Sequence, residues 1–194
     1  MAGARNSDNV RVYGSLNDAI WVAPLGTTLP TSLALDLPAP WVALGWLGQS
    51  GIPLAMSTDI EKFKGHQGGA TIRTKVTSTE KTLSFVCLEE TPAVVELYHD
   101  TSGAPVVTGT GATAVARVDL PQSVGVVAVA CVIQLQDGDV TKFYCLERIE
   151  ITNREDVAHS NTELTGYGMS AEVIGDSYLL TNAEPFIEAG TVEP

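Results

Sequence analysis

The residues able to do chemistry in this chain are three histidines, three cysteines and a few paired acids. His66, His99 and His159 are far apart, in a turn, at the end of an expected helix and in a loop. A shared metal would need them to converge; surface roles are expected instead, with His99 favoured by the dipole of a helix C-terminus. Cys87, Cys131 and Cys145 form no Cys-x-x-Cys pair, so neither a zinc site nor a disulfide framework is indicated. They read as small buried hydrophobes in a reducing compartment. Glu89 and Glu90, and Asp137 and Asp139, stand at expected strand ends, where turn and capping roles suit them. The run Asp137-Gly138-Asp139 lacks the later Glu of a calcium loop. Gly109-Thr110-Gly111 is a fragment of a dinucleotide fingerprint without its following glycine and helix. Nucleophile elbow, phosphate loop and His-Glu-x-x-His are all missing. The expectation is a protein that is not an enzyme and needs no cofactor or metal.

Charge narrows the choice further. The 194 residues carry 11 bases and 23 acids, a net charge of −12. Affinity for phosphate comes mainly from clustered Lys and Arg, so a generic nucleic-acid binder is excluded. Residues 1 to 97 hold nine acids and seven bases, and residues 98 to 194 hold 14 acids and four bases. No base follows Arg154. The first residues lack the apolar core of a secretory signal. The longest apolar run, 124 to 133, is ten residues, half of the roughly 20 needed for a spanning helix. A soluble product of the cytoplasm, without membrane insertion, is expected.

The elements that must position these groups are mostly strands. Val and Thr together make up 41 residues, and both suit a pleated surface better than a helix. Strands are expected at 10–13, 19–23, 41–47, 52–64, 70–77, 80–88, 113–120, 124–136, 140–151 and 164–173. The pair 70–77 and 80–88 reads as the clearest hairpin, and Asp137-Gly138-Asp139 joins another. Residues 126 to 133 are apolar throughout and should be covered on both faces. Thr91 as N-cap and Pro92 behind it start one helix, expected to lie on the sheet through Val94, Val95 and Tyr98. Residues 24–40 hold prolines at 24, 30, 38 and 40 and read as an extended arm or loop. With little periodic apolar packing in that stretch, the subunit is expected to fold without it. Residues 175–194 form an acidic C-terminal segment. The chain reads as a single domain, 1–194, mainly β: a two-sheet β-sandwich or barrel with one short α-helix and extended arms.

Trp21, Trp41 and Trp46 flank the proline-rich stretch, where large aromatics serve equally as core or as anchors for a neighbouring chain. The ordered set Gly-Trp-Leu-Gly (45–48), Gly-Ile-Pro-Leu (51–54), Asp-Ile-Glu-Lys-Phe-Lys-Gly-His-Gln-Gly-Gly (59–69), Ile-Arg-Thr (72–74) and Leu-Glu-Glu-Thr-Pro-Ala-Val-Val-Glu-Leu-Tyr (88–98) then carries a resemblance. It resembles the major tail proteins, or tail tube proteins, of long-tailed non-contractile phages (siphophages) infecting actinobacteria, over roughly residues 8 to 175.

That resemblance implies a β-sandwich subunit of a virion tail, made in the host cytoplasm. Its sheets would join those of its neighbours in a homohexameric ring, and the rings would stack into a tube. The implied partners are the chain itself, the tape-measure protein, and the tail terminator and distal tail proteins. Double-stranded DNA would pass through without adhering during genome ejection. Lumen-facing bases would add phosphate contacts and slow sliding, whereas acids repel the duplex. The expected lumen acids are Asp59, Glu61, Glu147, Glu163 and Glu172; the expected subunit-contact residues are Trp21, Trp41, Trp46, Arg73 and Lys75. Arg73 and Lys75 are expected to point away from the lumen or to pair with acids of adjacent subunits. Alternatives are a host- or carbohydrate-binding β-sandwich virion protein and the inner tube of a contractile injection machine.

Overall fold

A computed structural model describes residues 6–101 and 103–190. Its strands are β1 (Ala19–Ala23), β2 (Val42–Ala43), β3 (Leu54–Lys64), β4 (Thr71–Cys87), β5 (Val106–Thr108), β6 (Val115–Arg117), β7 (Val127–Asp137), β8 (Val140–Arg154) and β9 (Tyr167–Thr181). Two helices, α1 (Pro92–His99) and the shorter α2 (Glu184–Ala189), complete the set with two 3-10 turns. Seven strands form one sheet in the order β2-β1-β7-β8-β9-β4-β3, and β5 and β6 form a separate ribbon; every pairing is antiparallel. The fold class is as expected: mainly β, two sheets, one substantial helix and extended β-arms.

The large sheet curls on itself. Past β2 the chain leaves β1, where the Leu44 N–H donates to the Ile20 carbonyl at 2.9 Å, and crosses to β4. There Leu88 N–H donates to Trp46 O and Gly48 N–H to Val86 O, both at 2.8 Å, and Ser84 N–H reaches Pro53 O at 2.9 Å. Residues 42–54 thus stitch the two margins together, leaving fewer unpaired edge groups. Inside lie Ile20, Leu83, Phe85, Cys87, Cys131, Ile133, Ile149, Ile151, Met169 and Ala171, at alternate positions of their strands.

Thr91 and Pro92 start α1 as their chemistry requires, the Thr91 hydroxyl accepting from Val94 N–H. The helix buries Val94 and Leu97, with Tyr98 partly buried; Val95 is half-buried beside a shallow cleft instead of at the core. Its end is fixed by Asp100, in the left-handed region at φ 55°, whose carboxylate accepts Gly125 N–H at 2.7 Å.

Residues 24–40 form no strand, yet they do more than connect. Leu29, Leu33, Leu37 and Trp41 cover the outer sheet face made by Ala130, Val132, Phe143 and Cys145. The Tyr178 hydroxyl clamps the stretch by donating to Pro30 O at 2.7 Å. This second core corrects the expectation that the segment adds little packing. It also explains why residues 130–133 of β7 are buried at every position, with alternate side chains facing the two cores.

Several expected boundaries move. The two strands expected at 70–77 and 80–88 are one 17-residue strand, Thr71–Cys87, and the hairpin partner of β4 is β3. Its turn closes with Gly65 N–H on Ala70 O at 2.9 Å, and Gly68 and Gly69 stand at φ 71° and 65°, where a side chain would be strained. Residues 10–13 form no strand. The expected strand at 113–120 shortens to β6. β9 continues through Gly175 to Thr181, so residues 175–181 are sheet, and α2 follows.

Candidate assembly and channel surfaces

The β3-β4 hairpin projects beyond the curled sheet. Every residue of β3 is exposed, as are nearly all of β4 from Thr71 to Lys81, because β9 pairs with β4 only from Thr82 to Cys87. A lone two-stranded ribbon is marginal in water, so this one needs company. Leu54 opposite Leu83 fixes which face continues the core. On that face Met56, Ile60 and Val76 are 66%, 51% and 56% exposed, an apolar stripe with Lys62 and Lys81 beside it.

The opposite face has another character. Its alternate positions on β3 are Ala55, Ser57, Asp59, Glu61 and Phe63; those opposite on β4 are Thr82, Glu80, Ser78, Lys75 and Arg73. A row runs straight on across the sheet, Ala55 to Thr82 to Glu172 to Glu150 to Ala128. The next row on this face holds Ser84, Ser170 and Asn153, with the Ser84 and Ser170 hydroxyls 3.0 Å apart. β3, β4, β9 and β8, with Ala128 of β7, thus present one surface of acids, hydroxyls and small side chains, with Phe63, Arg73 and Lys75 on the same face at the hairpin's far end. Glu150 and Glu172 sit directly opposite each other, an arrangement that destabilises a sheet unless offset. Arg148 offsets part of it by pairing with Glu150.

Three of the five expected lumen acids, Asp59, Glu61 and Glu172, lie on this common face. Glu80 and Glu150 join them; pairing register, invisible in sequence, brings them there. Glu147 lies at a bulge of β8, its carboxylate accepting Asp176 N–H at 3.2 Å. Glu163 lies in the 155–166 loop and not on a strand. Among the expected contact residues, Trp41 is buried at 7% exposure and Trp21 is half-buried, its indole N–H donating to Gln134 Oε1 at 3.0 Å. Both pack in the second core, whereas Trp46 is 65% exposed. Glu89 braces the Trp46 backbone, accepting its N–H at 2.8 Å. Gly45, at φ 77°, is required there because a Cβ would strike the Glu89 carboxylate. Arg73 and Lys75 are exposed at the hairpin's far end, and among the described residues neither is in an ion pair. Lys75 has Glu61 as its cross-strand neighbour.

The groups with perturbed acidity are tuned toward inertness. Burial pushes the Cys87 thiol up to about 12, helped by Glu89, and the Cys145 thiol to about 11; burial and then Cys145 raise Cys131 as well. A thiol held protonated is a poor nucleophile and ligand. Tyr167 is raised by burial and by its hydrogen bond to Glu90, 2.9 Å away. Among the described residues no three His, Cys, Asp or Glu side chains are placed to hold a metal. A cleft of about 410 Å³ between α1 and residues 103–118 carries a single carboxylate, Glu96.

A curled sheet with a projecting ribbon, extended surfaces and passive buried thiols belongs to the class of structural proteins that meet other chains. The family model described as phage tail tube protein matches residues 3–188, and the chain belongs to that family. It is a structural component of a virion tail and not an enzyme. No curated protein is significantly similar to it. Solved structures similar to it include one from the virion of a native gene transfer agent particle, at 10% identity and TM-score 0.45, spanning 87% of this chain and 99% of that one. A chain from the tail of an empty gene transfer agent particle, refined with C6 symmetry, follows at 11% and 0.42, spanning 87% and 99%. A chain of the anti-feeding prophage baseplate has 10% and 0.44, spanning 88% and 97%.

Proposed function

We propose that this chain is the repeating subunit of the tail tube of a long-tailed non-contractile phage, with an actinobacterial host suggested by its ordered motifs. Six copies form a ring and the rings stack into a channel. The observation that carries the reading is the continuous face of Asp59, Glu61, Glu80, Glu150 and Glu172 interleaved with Ser, Thr and Ala, with its bases Arg73 and Lys75 confined to the hairpin's far end and Arg148 paired with Glu150. Directed inward, it repels a passing duplex and offers phosphates few cations. Six copies at −12 give a ring of about −72, and screening limits its reach to about 8 Å, so the acids nearest the duplex matter most. The tape-measure protein fills this channel before DNA does, and the terminator and distal tail proteins close its two ends.

The stripe of Met56, Ile60 and Val76, together with Trp46, Arg73 and Lys75, supplies contacts to neighbouring copies. Arg73 and Lys75 lie on the acid face, at the far end of the hairpin, and pair there with acids of the next subunit instead of pointing away from the lumen. Electron microscopy of the purified protein, with and without co-expressed tape-measure protein, tests the reading. Stacked rings with the acid face inward are expected. A chain that stays monomeric at high concentration in both preparations overturns it, and so does a tube whose lumen is lined by the opposite face.

A further inference from the structure

Where β4 leaves β9, above the Thr82–Glu172 pair, the curled sheet opens into a cleft of about 240 Å³. Leu54, Met56, Tyr144, Leu146 and Leu179 line it, and Lys81 stands at its edge. Leu146 belongs to the main core and Tyr144 packs against it, so the cleft is that core brought to the surface without a cover. Lys81 donates to the Ser177 hydroxyl at 3.0 Å and, among the described residues, makes no ion pair with a carboxylate.

The helix α2 carries complementary chemistry. All six residues of α2 are exposed. Phe186 and Ile187 are adjacent large apolar side chains, 56% and 63% exposed. Glu184 and Glu188 lie one turn apart, together on one side of Ile187, with Phe186 on the other side. No base follows Arg154 in the sequence, so nothing near α2 in the chain neutralises these acids.

We infer that α2 of one copy seats in this cleft of a second copy, with Phe186 and Ile187 on Leu54, Met56, Tyr144 and Leu179, and with Glu184 or Glu188 facing Lys81. This rests on the reading that the chain associates with itself, and it names a segment and its seat. Apolar burial holds the helix, while the charge pair sets its direction and excludes wrong registers. The contact is heterologous, a surface on one copy meeting a different surface on the next, which is the type that closes rings or propagates filaments. Six residues bury little area alone, so the seat acts as a latch beside the larger hairpin contacts.

Cysteine cross-linking tests it, because the native thiols are buried and leave a clean background. Two full-length variants, one Met56→Cys with Ile187→Cys and one Leu179→Cys with Phe186→Cys, are oxidised after assembly and run on a non-reducing gel. Links between chains in at least one variant are expected. A link confined within single chains, located by peptide mass, overturns the proposal, as do assembled tubes in which neither pair links. Lys81→Glu should raise the concentration needed for assembly about tenfold with thermal unfolding unchanged. Adding Glu184→Lys and Glu188→Lys should bring it back; no recovery overturns the charge pairing. Linked oligomers without tubes would keep the latch and sink the tube reading, whereas tubes without links would do the reverse.

Discussion

Cys87, Cys131 and Cys145 are fully buried, the first two in the main core and the third in the second core under the proline-rich cover. Their wide spacing in sequence already pointed to small apolar fillers, and the packing explains their acidity. Burial holds Cys87 at about 12, against an ordinary value of 9.0, and Cys131 is raised for the same reason. The consequence for stability has a definite sign. Above about pH 9 an unfolded chain loses thiol protons while the folded chain keeps them, so rising pH favours unfolding. Each such thiol then removes about 1.4 kcal/mol of stability per pH unit until its folded pKa is reached. Urea midpoints should therefore be flat from about pH 6 to about pH 8 and fall steeply beyond about pH 9. A Cys87→Ala, Cys131→Ala double variant, less stable at neutral pH because of its cavities, should show a shallower alkaline fall. Parallel alkaline slopes in the two proteins would place the titration elsewhere. What sequence could not tell is that Cys131 and Cys145 face opposite sides of the sheet, which requires the β7-β8 register of Val132 opposite Cys145.

At the scale of elements, the proline-rich segment is where structure departs furthest from pattern. Prolines forbid regular pairing, so 24–40 reads as a connector, yet Leu29, Leu33 and Leu37 recur every fourth residue and form the lid of the second core. Leu37→Ala should cost about 2 to 4 kcal/mol, read by thermal or urea unfolding. Deleting 24–40 should expose Phe143 and Val132 and give a chain that binds a hydrophobic dye and melts without cooperativity. A cooperative, dye-free deletion variant would show the lid to be dispensable. The helix start at Thr91 and Pro92 and the loop at Asp137-Gly138-Asp139 were legible because local chemistry decides them. The long β4 was not, because Thr77-Ser78-Thr79 looks like a turn. On an exposed ribbon a strand needs no apolar alternation, and the bulge at Thr77 absorbs the irregularity. β9 likewise crosses Gly175 because β8 pairs with it up to Thr181.

Over the whole molecule, the net charge of −12 is sorted by surface. From residue 101 to 126 the charged side chains are Arg117 and Asp119, which pair at 2.7 Å, while Val106, Val107, Val115, Leu120, Val124 and Val126 are exposed. This neutral ribbon and the Met56, Ile60 and Val76 stripe are where copies of an acidic protein can meet without repulsion. An Ile60→Asp, Val76→Asp variant should melt like the parent, since both side chains are outside the core, but remain in small oligomers by light scattering. Unimpaired tubes would exclude the stripe from assembly. The acid face calls for the reverse experiment. Glu80 and Glu172 are exposed, they bracket Thr82 on the proposed channel wall, and among the described residues neither is in an ion pair. Replacing both with Lys changes each subunit by four charges, and a six-fold ring by about 24, while leaving the stripe and both cores intact. Tubes of this variant should assemble normally and retain short duplex DNA at low salt. Each phosphate newly contacted should add about −0.9 to the slope of log affinity against log salt, so about 0.2 M salt should release it. Parental tubes should retain none at any salt. Equal DNA retention by both would mean that the acids face away from the channel, and the same measurement on Lys substitutions at Met56 and Ile60 would then identify the face that lines it.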